Sequence, residues 1–285
     1  MDRAGFAGRL GAAVLSLLEL SCLGIVALYV AGRGYKDGFD SWPLQFAGIA
    51  AAAWMGEQTC IAAYDFYHYA GSWALRAGAV PVTVALIWPV VILSAEDVAA
   101  RVVGGEQRGK IAALTFGMVL LDAALIEPVA VAAGLWAWTE VGVFGVPIIG
   151  IIGWAVFAGL WVLRRGDSWP QRALITVAGM HLCLMALWWG AFRWLRADLT
   201  AESAWPLLGV VAVAMAGLSA VVVRRRNELT IDVQRAMLRV PGALFFGLLL
   251  VVIDAPISLW AWVGVLATPW LVAVAVARTH SHLER

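Results

Sequence analysis

The chain has 285 residues, of which 62% are hydrophobic and 14% charged, with a mean hydropathy of +0.85 and a net charge of +1. Soluble domains carry about 45–50% apolar and about 25% charged residues, so this composition excludes an ordinary aqueous fold, a disordered chain and a disulfide scaffold. With its basic residues confined to short loop clusters, the chain has no field for nucleic acid, and the bulk of it belongs in a lipid bilayer.

A helix needs about 20 apolar residues to cross a hydrocarbon core of about 30 Å. The first such stretch, Leu10–Ala31, follows Arg3 and Arg9. It is longer than a signal-peptide core and lacks a small-residue cleavage site, so it reads as a retained helix. Further spans are expected at Leu44–Ala63, Ala74–Ser94, Ile111–Leu135, Val146–Leu163, Ala173–Phe192 and Pro206–Val223. The last apolar stretch, Val240–Ala277, is 38 residues long, and Asp254-Ala-Pro256 near its middle marks a hairpin turn or a break. The expectation is an all-α, polytopic transmembrane bundle of eight spans, within a range of seven to nine, forming one domain over residues 1–285.

Loops after spans one, three, five and seven hold thirteen of the twenty Lys and Arg residues, from Arg33 to Arg239, against five on the other side. Positive loops stay in the cytoplasm. The N-terminus and the Trp136–Gly145 loop are therefore expected outside, in a multi-pass protein of the cytoplasmic membrane. Cys22, Cys60 and Cys183 each lie in an apolar stretch without a CxxC pair and read as small hydrophobes. His280 and His282 sit in a solvated tail, Thr279–Arg285, so no metal site is expected.

Ionisable groups at membrane depth are costly and each requires a reason. Glu19, Glu57, Asp122, Glu127 and Asp254 fall within apolar stretches, while Asp65, Glu96 and Asp97 fall near span ends. A carboxyl group in a low dielectric favours its protonated form, as a general acid requires. Trp54, Glu57, Ile61 and Tyr64 fall on one helical stripe, and Glu57 lies two turns deeper than the Tyr64–Tyr69 aromatic segment that ends it. Asp122 and Glu127 are five residues apart, and Pro128 withdraws a backbone N–H, kinks the helix and deprives the Ala124 carbonyl of its donor. The three acids Glu57, Asp122 and Glu127 are expected to meet at one cavity, with Trp54, Trp136, Trp138 and Trp154 offering π-faces to a cation. The sequence Leu135-Trp-Ala-Trp138 behind Glu127-Pro128 is echoed by Leu259-Trp-Ala-Trp262 behind Asp254-Ala-Pro256. The acid-to-Leu spacings differ, eight against five, which argues against a repeat. Nucleotide, metalloprotease and serine-hydrolase motifs are lacking.

The run Leu121–Ala130, then Gly134-Leu-Trp-Ala-Trp138, Gly142–Pro147 and Gly153-Trp154 resembles the central motif of integral-membrane carotenoid biosynthesis proteins, among them bisanhydrobacterioruberin and acyclic-end carotenoid hydratases. Glu57, Tyr67-His-Tyr69, Pro81 and Trp88 resemble the family's earlier part. Glu127-Pro128 stands where the family has Asp-Pro, Phe144 or Val143 where it has Tyr, and Gly150 where it has Asn. The resemblance implies a hydratase that protonates an isoprenoid end to a tertiary cation captured by water, without a redox cofactor. The intramembrane acids and aromatic residues supply the ingredients of that step: Asp122, Glu127 and Glu57 are expected as catalytic acids, with Trp54, Tyr64, Trp136, Trp138, Trp154 and Asp254 around a lipophilic polyisoprenoid substrate. The expected partners are membrane lipids and other enzymes of carotenoid synthesis. A cyclase would use the same protonation and capture the cation with another double bond. A proton-coupled transporter with Asp122, Glu127 and Asp254 as a relay, and a non-catalytic pigment-binding protein, are the alternatives of other classes.

Overall fold

The computed structural model describes residues 3–39, 42–104, 107–194, 198–226 and 239–276. Arg196, Arg235, Arg278, Arg285 and the tail with His280 and His282 lie outside the described residues. Nine α-helices are described: α1 (Arg3–Asp37), α2 (Trp42–Ala62), α3 (Val82–Val103), α4 (Arg108–Ala132), α5 (Ile148–Leu163), α6 (Trp169–Leu187), α7 (Trp205–Arg224), α8 (Val240–Val252) and α9 (Ile257–Val276). Six of them, α1, α3, α4, α6, α7 and α9, are long and apolar enough to cross a membrane, α6 being extended by a π-helical turn at Trp188–Phe192. The chain is thus an all-α polytopic bundle.

Five helices close a ring, α2 against α3, α3 against α4, α4 against α5, α5 against α6, and α6 back against α2. α1 packs outside on α3, α8 on α4 and α1, and α9 on α7 and α4. The long C-terminal stretch is a hairpin: Arg239, just before α8, stacks on Trp270 near the end of α9, so the two helices run antiparallel. The third span differs from the expected Ala74–Ser94. Residues 76–81 form the short paired strands β2 (Arg76–Ala77) and β3 (Val80–Pro81) around Gly78, whose φ is +63°. Pro81 caps α3 in extended conformation, and the helix runs on past Glu96 and Asp97 to Val103. Those two acids face arginines, Glu96 with Arg165 at 3.4 Å and Asp97 with Arg33 at 2.9 Å.

Three helices end at a residue of left-handed backbone. After α2, α4 and α8, residues Asp65, Gly134 and Asp254 adopt left-handed backbone, with φ of 52°, 70° and 49°. The following amide reaches back to the last turn: Phe66 to Cys60, Leu135 to Ala130 and Ala255 to Leu250. After α4 and α8 the reach is five residues, the Schellman stop; after α2 it is six, a wider turn with the same left-handed residue. Aspartate is among the few side chains that tolerate that conformation. Asp254 is therefore an exposed turn residue, not an acid buried at membrane depth.

Candidate functional site

Two of the three stops launch strands. Two residues after Asp65 begins β1 (Tyr67–Tyr69), two residues after Gly134 begins β4 (Trp136–Trp138), and the strands pair antiparallel with Tyr67 opposite Trp138 and Tyr69 opposite Trp136. Side chains alternate across a strand. Tyr67 and Tyr69 therefore point inward while His68 is exposed.

The ribbon's aromatic residues grip two helical acids. Glu57 of α2 accepts from the Tyr67 hydroxyl at 2.6 Å and the Tyr69 hydroxyl at 2.5 Å, both on Oε2, and from the Trp88 indole at 3.0 Å on Oε1. Glu127 of α4 accepts from the indoles of Trp136 at 2.8 Å and Trp138 at 3.1 Å, both on Oε2. Both acids are buried. Burial, with the Glu57 carboxyl beside them, pushes both phenols well above their ordinary range, so each keeps the proton it donates. Trp88 also stacks on Trp154 of α5, centroids 3.6 Å apart and planes within 21°.

A cavity of about 50 Å³ lies inside the helix ring, room for a few waters. Glu57, Tyr67, Trp88, Trp138, Trp154 and Phe157 form its reactive and aromatic wall, completed by Gly150, Met180 and Leu184. Glu127 is not in that wall; it stands one layer behind, holding Trp138. Gly150 is required by packing: a Cβ there would lie 2.5 Å from Trp138 Cζ2.

Among the expected site residues, the structure brings together Glu57, Glu127, Trp136, Trp138 and Trp154. Asp122 stands apart on another side of α4, where Arg239 donates to it at 3.3 Å and to Ser94 at 3.2 Å. It is ion-paired and not a member of a three-acid cavity, because five residues along a helix turn it well away from Glu127. Trp54 is 36% exposed and donates to the Ala77 carbonyl at 2.9 Å; Tyr64 falls in the turn after α2 and packs edge-on against His181. Neither lines the cavity: Trp54 turns outward from α2 to its Ala77 partner, and Tyr64 lies past the helix end. Sequence reasoning left Tyr67, Tyr69, Trp88 and Phe157 unassigned. The Tyr-His-Tyr and Trp-Ala-Trp alternations were the available signal for the ribbon. Among the described residues, no group of three or more His, Cys, Asp or Glu is placed to hold a metal.

The family of carotenoid biosynthesis proteins matches residues 11–223, about three quarters of the chain. The chain belongs to this family. Membership gives it a role in carotenoid biosynthesis as a multi-pass membrane protein, and the matched stretch contains the helix ring, the ribbon and the whole cavity wall. α8 and α9 lie outside that stretch. No curated protein and no solved structure matches the chain.

Proposed function

We propose that the chain is a hydratase acting on a terminal carbon–carbon double bond of a carotenoid or related polyisoprenoid. The observation that carries this reading is a buried carboxyl, Glu57, facing a cavity walled by stacked tryptophans. In the step proposed, the Glu57 carboxylic acid gives its proton to the less substituted alkene carbon, and the π-electrons become the new C–H bond. The adjacent carbon is left as a tertiary cation beside the faces of Trp88, Trp154 and Trp138, which attract positive charge. A water oxygen bonds to that cation and loses a proton to the Glu57 carboxylate, so the acid is restored and one water has been added. Tyr67, Tyr69 and the Trp88 indole fix the carboxyl's orientation throughout. Glu127 is a positioning residue that holds the Trp136 and Trp138 rings. Seating an end group widens the cavity at Met180 and Leu184, its flexible aliphatic side chains.

A cyclase reading is favoured by one feature. Gly150 offers the wall no polar side chain, and the Tyr67 hydroxyl is already committed to Glu57, which leaves few groups to hold water. Expression in cells that accumulate acyclic carotenoids separates these readings. Hydration raises pigment mass by one water; cyclisation leaves mass unchanged and alters the absorption spectrum. Glu57→Gln should lower product about 10²–10⁴-fold, the usual weight of a general acid. Wild-type pigment from that variant at normal expression would leave a binding role instead of an enzymatic one.

A further inference from the structure

Pro128 has no N–H, so the carbonyl of Ala124, four residues earlier, loses its helical partner. Inside a bilayer protein such a carbonyl must be satisfied by another group. The structure supplies one from a distant segment: the Trp262 indole of α9 donates to the Ala124 oxygen at 2.9 Å, in a buried position. The same ring meets Phe144 edge-on, centroids 5.7 Å apart, and so also touches the loop that leaves β4. Two residues before Ala124, Asp122 is held by Arg239 at the head of α8. The hairpin therefore grips α4 twice within one turn, just before Glu127.

We infer that the α8–α9 hairpin is a brace that sets the kink of α4, and that Trp262 is a positioning residue for Glu127 and, through it, for the Trp138 wall of the cavity. This rests on the cavity being the reaction site. Among the described residues no part of the hairpin lines the cavity, yet it closes the backbone defect that the Glu127-Pro128 pair creates. The Leu259-Trp-Ala-Trp262 echo thus acquires a role: its last tryptophan serves the same turn of α4 as Trp138 does, at Ala124 where Trp138 serves Glu127.

The test is a double-mutant cycle in the full chain, read by product turnover and by thermal midpoint in detergent. Trp262→Phe keeps a ring and removes the donor; a buried carbonyl left without a partner should lower turnover roughly tenfold, with substrate KM little changed. Pro128→Ala restores an N–H to Ala124, so adding Trp262→Phe in that background should cost almost nothing in either readout. Equal costs in both backgrounds would overturn the brace. Coupling seen in the midpoint and not in turnover would overturn the positioning role. If Pro128→Ala does not insert, Trp262→Gln, which keeps a donor, should outperform Trp262→Leu, which does not; equal turnover overturns the inference. Glu57→Gln is the control: an active Glu57→Gln protein shows that the site reading has failed, whereas an inactive one with no coupling shows that the brace has.

Discussion

Gly150→Ala perturbs the cavity wall with a single methyl group. The added Cβ would meet Trp138 at 2.5 Å from Cζ2, 2.7 Å from Cη2 and 2.9 Å from Cε2. Carbon atoms pack best near 3.5–4.0 Å, so the indole must retreat by about 1 Å. Its N–H lies 3.1 Å from Glu127, already near the long end of a normal N–H···O bond. That retreat breaks the bond. Overpacking costs about 1–3 kcal/mol, and a bond to a carboxyl group about 1.5–3 kcal/mol more. The variant should therefore lose several degrees of thermal midpoint in detergent, and at least tenfold in pigment conversion. Trp138→Phe supplies the control, because its smaller ring lacks the colliding atoms. Gly150→Ala added to Trp138→Phe should cost far less than Gly150→Ala alone. Wild-type conversion and midpoint in Gly150→Ala would refute the packing argument, as would full additivity in the double variant.

Tyr67→Phe and Tyr69→Phe each remove one donor from Glu57 and should each lower turnover about tenfold or more, at the 1–3 kcal/mol of a buried bond, with membrane insertion intact by protease protection. Glu127→Gln keeps an oxygen able to accept both indoles and should be milder than Glu57→Gln by at least an order of magnitude, measured as pigment formed per unit of protein. Asp122→Asn leaves Arg239 without its counter-charge. Between exposed and buried limits this costs roughly 1–3 kcal/mol, seen as a lower thermal midpoint, with a smaller loss of turnover than Trp262→Phe because the Trp262 hold on Ala124 remains. Cysteines introduced in the Arg224–Arg239 loop should resist impermeant labelling of intact cells, and those in the Trp136–Gly145 loop should react; the reverse would invert the proposed orientation.

Hydropathy made most of the bundle legible because the bilayer imposes one length on every crossing. It failed at Ala74–Ser94, where Gly78 and Pro81 outweigh an apolar run and delay the helix until Val82. Glu57 and Glu127 stood out since a lipid-buried acid has few innocent explanations. Asp122 carried the same signal, but its partner Arg239 is 117 positions away, a distance over which no local pattern speaks. Asp254 misled for the opposite reason: its use is conformational, a left-handed stop that an apolar flank disguised as a buried charge. Tyr67 and Trp138 belong to strands of only three residues, too short for alternation to be distinguished from an interfacial aromatic belt. Trp88 is joined to the site only by tertiary contacts, its stack on Trp154 and its hydrogen bond to Glu57.

The ribbon ties two distant parts of the gene to a common ruler. Because inward and outward positions alternate one by one, inserting a single codon within either three-residue strand would turn its aromatic residues toward the outer side. In β1 that would strip Glu57 of both hydroxyl donors; in β4 it would strip Glu127 of both indoles. A paired insertion would restore the facing but slide the donors along by nearly 7 Å, beyond reach of either carboxyl. These six positions should therefore admit almost no length variation. The α3–α4 connection, at the opposite end of both helices from the ribbon, carries no strand in register with an acid among the described residues, so it should lengthen and shorten with less penalty, and grafted tags or fusion partners belong there.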